Sequence, residues 1–268
     1  MEKLIVLGTG NAMVTRCYNT CFAVEKDGKY LLVDGGGGNQ ILRILADNGI
    51  AFNDVSDIFL THAHTDHVFG LIWVIRRIAE DMLKGKNSGK VNIYSHSHGI
   101  NALKTMCEIT LQKKMLALFG ERIIFNTVSD GDTASILGNE MSFFDIRSTK
   151  LVQFGFAMTL YGGKRLVCLG DEPCCAECEP IAKDADWLLS EAFCRYGDRD
   201  KFKPYEKHHA TVKDACELAE RMGAKNLILW HSEEETLDQR QALYSAEGRE
   251  YYHGGLYVPH DGDVIPLG

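Results

Sequence analysis

Residues 61–67 place four side chains that can bind a metal ion within one short segment. The segment reads Thr-His-Ala-His-Thr-Asp-His, and its candidate ligands are His62, His64, Asp66 and His67. Three imidazoles and a carboxylate leave several lone pairs that need partners, and a divalent cation is matched by this set of ligands. In an extended segment His62, His64 and Asp66 would share one face, and His67 at a helix start could turn toward a second ion. We therefore predict a metal site here, with helix-capping or solvent-facing histidines as the alternative.

Two more candidate ligands follow predicted strands later in the chain. The apolar run 166–169 leads into Gly170 and Asp171, and the run 227–230 leads into His231. A buried strand that ends at a carboxylate or an imidazole directs that group into a cleft at the edge of a sheet. Alone, either residue would more often be a helix cap or a polar residue with an internal partner. Beside the histidine-rich segment, we interpret both as ligands of the same site.

Apolar strands alternate with amphipathic helices along the chain, which indicates a layered α/β architecture. The predicted strands are 4–7, 21–24, 30–33, 58–60, 91–94, 123–125, 141–146, 154–160, 166–169, 187–189 and 227–230. The predicted helices are 40–48, 68–83, 100–118, 176–183, 212–222 and 236–246. Because no linker, low-complexity tract or repeat divides these elements, we expect residues 1–268 to form a single domain.

Composition limits the classes of function. The 268 residues are 45% hydrophobic and carry a net charge of −8, with no run of Lys or Arg longer than two. This balance argues against a protein that grips nucleic-acid phosphates along much of its surface. No segment is long and apolar enough for a membrane span, and the N-terminus lacks the features of a signal peptide. With nine cysteines at irregular spacing, we expect free thiols and a cytoplasmic location.

A glycine run and two small clusters are weaker candidates for a site. Residues 34–38 predict a tight connection after a strand, and the lack of a lysine there excludes a Walker-type phosphate loop. The cysteines of residues 174–178 lack a second pair at zinc-site spacing, so we expect packing at a helix start, with a redox-sensitive thiol as the alternative. His98 lies where a helix opens and free backbone amides attract anions, with capping by Ser95 or Ser97 as the alternative.

The order of these motifs resembles that of metallo-β-lactamase-fold hydrolases, and within them the ribonuclease Z-like branch. The resemblance covers nearly the whole chain. Besides the His-x-His-x-Asp-His segment it includes Leu7-Gly8-Thr9-Gly10, the segment 31–36, Gly170-Asp171, Ser190-Glu191-Ala192, His209-Ala210-Thr211 and Trp230-His231-Ser232. It implies a four-layer αββα sandwich of two similar halves, with the active site at one edge and two divalent metal ions. Zinc is the expected ion, with manganese or iron as alternatives.

The resemblance also implies how the ligands are divided between the two ions. One ion would be bound by His62 and His64, the other by Asp66, His67 and His231, and Asp171 would bridge them. A hydroxide held by the ions would be the nucleophile, so that the protein need not supply one.

Two residues beyond the ligands are implied to handle protons. They match Glu191 and His209 of this chain. A carboxylate can orient an imidazole and raise its basicity, and the imidazole can then protonate a leaving alkoxide. The expected catalytic residues are therefore Asp66, Glu191 and His209.

The sequence departs from the family pattern in two places. A further histidine ligand is usual before the bridging aspartate, and Lys150 stands at that position here. A protonated ammonium cannot coordinate, so one ion loses a ligand. Lys150 could instead contact an anionic substrate, act as a carboxylated ligand, or point to solvent. The long arm that grips transfer RNA also has no counterpart, because residues 155–166 fit only a short hairpin-like connection.

We therefore predict a metal-dependent hydrolase of a small-molecule ester or phosphodiester, with a phosphodiesterase favoured. A lactonase, β-lactamase or thioester hydrolase is the alternative within enzymes, because the same ligands polarise a carbonyl group. A catalytically weak metal- or ligand-binding protein is the alternative outside enzymes. The sequence leaves open whether one or two ions bind and whether the chain forms a homodimer.

Overall fold

The computed structural model describes residues 1–268 and contains fourteen strands in two seven-stranded sheets. The strands are β1 (Lys3–Gly8), β2 (Cys21–Lys26), β3 (Lys29–Val33), β4 (Val55–Phe59), β5 (Val91–Ser95), β6 (Ile123–Thr127), β7 (Thr133–Ile136), β8 (Asn139–Asp145), β9 (Phe154–Thr159), β10 (Arg165–Cys168), β11 (Trp187–Glu191), β12 (Asn226–Trp230), β13 (Gly255–Tyr257) and β14 (Val264–Pro266). The first sheet has the order β14-β1-β2-β3-β4-β5-β6, and the second has the order β13-β12-β11-β10-β9-β8-β7. Antiparallel pairing changes to parallel pairing at β3 in the first sheet and at β10 in the second, so the two halves are alike.

Eight α-helices accompany the sheets. They are α1 (Gln40–Asp47), α2 (Thr65–Leu83), α3 (Ser97–Thr110), α4 (Lys113–Leu116), α5 (Glu179–Ala182), α6 (Arg199–Phe202), α7 (Val212–Met222) and α8 (Arg240–Gly248). None of them combines the length and the apolar character that a membrane crossing requires.

The apolar side chains form three layers of core. Adjacent residues of a strand point to opposite faces, so in β3 Leu32 packs with the helices of the first half while Leu31 and Val33 face the second sheet. The layer between the sheets is rich in aromatic rings, and the centroids of Phe59 and Phe156 are 5.6 Å apart. A third layer packs the second sheet against α7 and α8. This order of layers confirms the predicted αββα sandwich.

Every predicted strand overlaps an observed one, but the predicted helices 100–118, 176–183 and 236–246 differ from the observed ones. The segment 100–118 is divided into α3 and α4, because the backbone at Leu111 and Gln112 is extended and Leu111 enters the core. Only α5 is helical within the segment 176–183. A turn precedes α5, and Pro180 lies in its first turn, where the ring clashes with any helix continuing from before it.

The start of α8 and the strand β7 also differ from the prediction. The predicted helix 236–246 begins at Arg240, because the backbone N–H and the hydroxyl of Thr236 both donate to the carboxylate of Glu233. β7 was not predicted, since Ile136 is its only buried residue and a half-exposed edge strand has a weak apolar pattern.

The parallel strands of both sheets end where the candidate ligands begin. β10, β11 and β12 are parallel neighbours; Asp171 follows β10, Glu191 ends β11 and His231 follows β12. In the first sheet, β3 and β4 are parallel and are followed by Asp34 and His62. Because the carboxyl ends of neighbouring parallel strands lie at one edge, each sheet contributes its polar groups to the same cleft.

Helix α2 makes a close backbone contact with the turn that follows β3. A Cβ atom on Gly70 would lie 1.7 Å from the carbonyl oxygen of Gly35, so only glycine fits at this position of the helix. The backbone N–H of Gly35 also donates to the carbonyl of His67 at 2.9 Å. The contact fixes the first turn of α2, which carries Asp66 and His67, against the turn that begins with Asp34.

Candidate metal centre and active site

The histidine-rich segment joins the end of β4 to the start of α2. His62 lies in the connection, His64 is the N-cap of the helix, and Asp66 and His67 lie in its first turn. The predicted extended face is therefore wrong for Asp66, because the helix begins at Thr65. Asp66 reaches the cleft from the first helical turn instead.

Three predicted ligands surround Asp171, and a fourth, Asp66, lies beside one of them. The Nε2 atoms of His62, His67 and His231 lie 3.7, 3.5 and 3.5 Å from Oδ2 of Asp171, and Oδ2 of Asp66 lies 3.4 Å from Nε2 of His67. Each of these side chains is at most 8% exposed. The structure thus brings together polar groups from both sheets in a buried cluster.

His64 lies on the His62 side of this cluster. Its Nδ1 atom is 2.8 Å from Nε2 of His62, the same nitrogen that faces Asp171. The arrangement places all six predicted ligands in one continuous group.

The spacing of the ligand atoms fits a bound cation. Distances of 3.4–3.7 Å are longer than ordinary hydrogen bonds, and Nε2 of His67 is buried without a hydrogen-bond partner. Ligands of a tetrahedral zinc ion at about 2.0–2.1 Å from the metal lie roughly 3.3 Å from one another. Two overlapping sets, His62-His67-Asp171 and Asp66-His67-His231, keep their ligand atoms within 4.8 Å. The donors are imidazole nitrogens and carboxylate oxygens, which suit zinc and related divalent ions.

Asp34 holds one of these imidazoles, a role that we did not predict. Its Oδ2 atom lies 2.7 Å from Nδ1 of His67, and the carboxylate also accepts hydrogen bonds from the backbone N–H and the hydroxyl of Thr61. A carboxylate at one ring nitrogen fixes the tautomer, so that the other nitrogen is free for a metal ion. A polar residue directly after a buried strand, the pattern that identified Asp171, would also have identified Asp34.

The electrostatics of the cluster favour a positive charge at its centre. Burial opposes ionisation of Asp171, yet the neighbouring histidines hold the pKa of its carboxyl well below the usual range. Burial likewise opposes the charge on His67, but adjacent carboxylates raise its pKa well above the usual value. Burial lowers the pKa of His231 to about 4, which leaves its imidazole neutral and able to coordinate.

The predicted proton-handling residues lie beside the cluster. Glu191 is fully buried, accepts a hydrogen bond from the backbone N–H of Ala210, and has Oε2 at 3.4 Å from Nδ1 of His209. The ring of His209 stacks on Phe193 and lies 5.2 Å from the ring of His231, measured between centroids. Burial raises the pKa of the Glu191 carboxyl well above its usual range and lowers the pKa of His209 to about 4. The pair can therefore share a proton close to the candidate metal centre.

Lys150 is paired with a carboxylate that we did not predict. Its Nζ atom is 3.6 Å from Oε1 of Glu172, and the same oxygen accepts a hydrogen bond from the hydroxyl of Ser148 at 2.8 Å. Burial is the main cause of the lowered pKa of His209, and the positive charge of Lys150 lowers it further. Lys150 is therefore close enough to act electrostatically on the candidate active site. Lys150 is an exposed residue, so the alternative in which it points to solvent stays a prediction beside this contact. Apart from following Asp171, Glu172 has no distinguishing feature in the sequence.

The structure does not bring His98 to the candidate metal centre. His98 is exposed, and its ring lies parallel to that of His96 with the centroids 6.2 Å apart. His96 is the N-cap of α3, and its Nδ1 atom accepts a hydrogen bond from the backbone N–H of Gly99. The predicted capping by Ser95 or Ser97 is therefore wrong, and the geometry offers no support for a substrate contact of His98.

Comparison with known proteins relates the whole chain to one group of hydrolases. Ribonuclease Z of Myxococcus xanthus is 28% identical over an alignment of 306 positions, which covers 99% of this chain and 97% of that protein. The metallo-β-lactamase fold protein YhfI from Bacillus subtilis matches with a TM-score of 0.80 at 18% identity and covers 98% of both chains. A diphosphatase of the PhnP family matches with a TM-score of 0.75 at 19% identity, covering 99% of this chain and 98% of the other.

These similarities confirm the resemblance to ribonuclease Z-like hydrolases of the metallo-β-lactamase fold and the prediction of a metal-dependent hydrolase. A model of one family, described as Anti-Pycsar protein Apyc1, matches residues 2–247. The matched range contains all six predicted ligands together with Glu191 and His209. The chain therefore belongs to the Anti-Pycsar protein Apyc1 family.

Proposed function

We propose that the chain is a phosphodiesterase that uses two divalent metal ions to hydrolyse a small-molecule phosphodiester. The observation that carries this proposal is the buried cluster around Asp171, whose ligand atoms are 3.4–3.7 Å apart, with the Glu191–His209 pair at its side. The names of two similar proteins, a ribonuclease and a diphosphatase, support chemistry at phosphorus.

The proposed ligands are divided as the family resemblance implies. His62 and His64 would hold one ion, Asp66, His67 and His231 would hold the other, and Asp171 would be a ligand of both. When bound, such ions lower the pKa of a water molecule and stabilise negative charge on the phosphoryl group. Zinc is the proposed ion because the donors are imidazole nitrogens and carboxylate oxygens, and manganese and iron stay as alternatives.

His209 is the proposed proton donor to the leaving group. Its side chain is 11% exposed, whereas that of Glu191 is fully buried, so the imidazole is the member of the pair that a substrate can reach. Nδ1 faces Glu191, which leaves the other ring nitrogen for the substrate. A bound phosphodiester brings negative charge close to His209 and raises its pKa from the low value of the free site, which favours the protonated form.

The proposed substrate is small because the chain lacks a long RNA-binding arm at the expected position. Only residues 160–164 connect β9 to β10, which confirms the predicted short hairpin. The net charge of −8 also disfavours a broad contact with RNA phosphates. We assign Lys150, whose side chain is 27% exposed, as the cation that contacts the anionic group of the substrate.

Hydrolysis of bis(p-nitrophenyl) phosphate by zinc-reconstituted protein tests the function, with a chelator-treated sample as the blank. We expect turnover that depends on the metal and that is lost in Asp66→Ala. Asp54→Ala is the matched control, because the side chain of Asp54 is 41% exposed and pairs with Lys29. Equal rates in the loaded and chelated samples would overturn the proposal.

The same preparation separates the alternatives. Metal-dependent turnover of a lactone, a β-lactam or a thioester without phosphodiester turnover would identify a carbonyl-ester hydrolase. Metal binding without turnover of any of these would identify a binding protein. Elemental analysis is expected to give two ions per chain, and a single ion would exclude the dinuclear arrangement while leaving a hydrolase with one metal.

Whether the chain forms a homodimer stays open, and the cytoplasmic location stays a prediction. Light scattering of the metal-loaded protein in solution measures the first, and fractionation of the source cells measures the second.

A further inference from the structure

A pair of cysteines lies close to the proposed active site but has no part in the proposed function. Cys175 and Cys178 follow Asp171 by a few residues, and their sulfur atoms are 3.1 Å apart. That separation is only about 1 Å longer than the sulfur–sulfur bond of a disulfide. Cys178 is additionally in contact with the carbonyl of Asp145, at 3.5 Å from its sulfur.

The backbone already has the geometry that a disulfide would need. The N–H of Cys178 donates to the carbonyl of Cys175 at 3.0 Å, so the two residues are the first and fourth positions of a tight turn. The Cα atoms at these positions of a turn are less than about 7 Å apart, and disulfides usually join Cα atoms separated by roughly 4.4–6.8 Å. Closing the bond would require small side-chain rotations and little movement of the backbone.

The two thiols differ in access to solvent, which sets the order of reaction. Cys175 is half-buried, whereas Cys178 is 2% exposed. Burial, followed by the contact with Cys175, raises the pKa of the Cys178 thiol above its usual range. Cys175 is therefore the thiol that an external reagent meets first, and Cys178 stands directly behind it. Most of the other cysteines, such as Cys168, are buried within the core.

We infer that Cys175 and Cys178 form a reversible dithiol–disulfide site that reacts with low-molecular-weight disulfides. The thiolate of Cys175 attacks one sulfur of the small disulfide, the bond between its two sulfurs breaks, and one small thiol leaves. The sulfur of Cys178 then attacks the Cys175 sulfur of the mixed disulfide, loses its proton and expels the second small thiol. Two protein thiols are oxidised, and one small disulfide is reduced to two thiols.

Oxidation of the pair would constrain a short segment that leads to the proposed active site. Three residues, Glu172-Pro173-Cys174, separate Asp171 from Cys175. The carboxylate of Glu172 is the partner of Lys150. A disulfide holds the turn closed at the end of this segment, so that oxidation restrains the backbone between the turn and Asp171. Transient disulfides of this kind are the form that intracellular redox-sensing cysteines take.

The test uses the full-length, zinc-loaded protein with oxidised glutathione as the probe, followed by alkylation and mass analysis of peptides. We expect a peptide in which Cys175 and Cys178 are joined by a disulfide. The oxidised protein should have two fewer alkylated cysteines than the reduced protein, and treatment with dithiothreitol should restore both. Hydrogen exchange of residues 172–178 is expected to slow in the oxidised sample. A stable mixed disulfide on Cys175, or full alkylation of both residues, would overturn the inference.

Single variants test the order of the two steps. Cys178→Ser is expected to stop at a stable glutathione adduct on Cys175. In Cys175→Ser, Cys178 is expected to stay unmodified. Cys174→Ser is the matched control and is expected to form the same disulfide as the natural protein. If a serine variant does not fold, peptide mapping of the natural protein still decides the outcome. A disulfide from Cys174 to either neighbour would contradict the assignment.

Discussion

Nδ1 of His209 lies 3.4 Å from Oε2 of Glu191, and both atoms are buried without a hydrogen-bond partner. Buried polar atoms without partners are rare in folded proteins, because each loses its bonds to water. A proton placed between these atoms satisfies both at once. The pair is therefore arranged to hold a proton on His209 when a substrate brings negative charge into the cleft.

Replacing His209 by alanine is expected to slow hydrolysis of a phosphodiester with an alkoxide leaving group by roughly 10²–10⁴-fold. The loss with a p-nitrophenolate leaving group is expected to be much smaller, because that group departs without a proton. Comparison of kcat/KM for the two substrates measures the difference. His208→Ala is the control, since this neighbouring histidine is exposed. Equal losses on the two substrates would rule out a proton-donating role.

The variant Asp34→Asn is expected to weaken metal binding by about 10–100-fold, the usual effect of losing a carboxylate behind a metal-binding imidazole. The amide cannot supply the negative charge that holds the proton on Nδ1 of His67. Competition with a chromophoric chelator measures the affinity. Asp54→Asn serves as the control, and an unchanged affinity in Asp34→Asn would show that His67 is positioned by other contacts.

Removal of the metal is expected to lower the thermal stability of the folded protein. Zinc at 100 times its Kd stabilises by about 2.7 kcal/mol if it binds only the folded state, which corresponds to a rise in Tm of roughly 5–10 °C. Calorimetry over a series of zinc concentrations measures the shift. Asp171→Asn is expected to lose the zinc-dependent rise, and a rise of the same size in that variant would place the ion elsewhere.

The free energy of unfolding is expected to decrease as the pH is lowered, and His96 is expected to contribute to this decrease. Burial and, to a smaller extent, the neighbouring His98 lower the pKa of His96 to about 4 in the folded protein, whereas an unfolded histidine has a pKa of about 6.5. As the pH falls, the unfolded state binds the proton first. The free energy of unfolding therefore decreases as the pH falls from the pKa of the unfolded histidine toward the pKa of His96 in the folded protein. The expected loss is on the order of 1–3 kcal/mol.

Urea unfolding of metal-free protein at several pH values checks this expectation. His96→Asn keeps a side chain that can cap α3 but cannot titrate in this range, so its stability is expected to fall less steeply than that of the natural protein. His253→Asn is the control, because the ring of His253 is 78% exposed. The prediction fails if His96→Asn and the natural protein show parallel profiles.

The variant Gly70→Ala is expected to destabilise the fold by roughly 1–3 kcal/mol or more, as overpacking of a close contact does. The added methyl group would overlap the carbonyl oxygen of Gly35. Gly38→Ala is the matched control from the same glycine-rich turn, since no atom lies within 4 Å of its added Cβ. Similar free energies of unfolding for the two variants would mean that α2 moves away at little cost.

The candidate metal centre was predictable because its proposed ligands have local patterns. His62, His64, Asp66 and His67 are close in sequence, and Asp171 and His231 follow buried strands. Such patterns depend on strand and helix periods that a single sequence displays. The layered fold was predictable for the same reason.

Features that depend on contacts between distant segments were not predictable. Glu172 joins Lys150 and Ser148 across more than twenty residues, and no spacing in the sequence indicates that pairing. The helix breaks at Leu111 for a similar reason. Burial of the Leu111 side chain in the core stabilises an extended backbone at this residue. His96 was passed over as a cap because serine is the commoner N-cap residue.

The contact between Gly35 and Gly70 holds one side of the candidate site by backbone packing. It clamps the turn of Asp34 to the start of α2, so that one wall is set by backbone packing. The pair of Lys150 and Glu172 is instead a contact between side chains, with Nζ of Lys150 3.6 Å from Oε1 of Glu172. Substitutions in residues 148–152 and 172–178 can therefore alter which molecules enter without moving the proposed metal ligands at the start of α2. A fold built this way can acquire new substrates while its core chemistry stays the same.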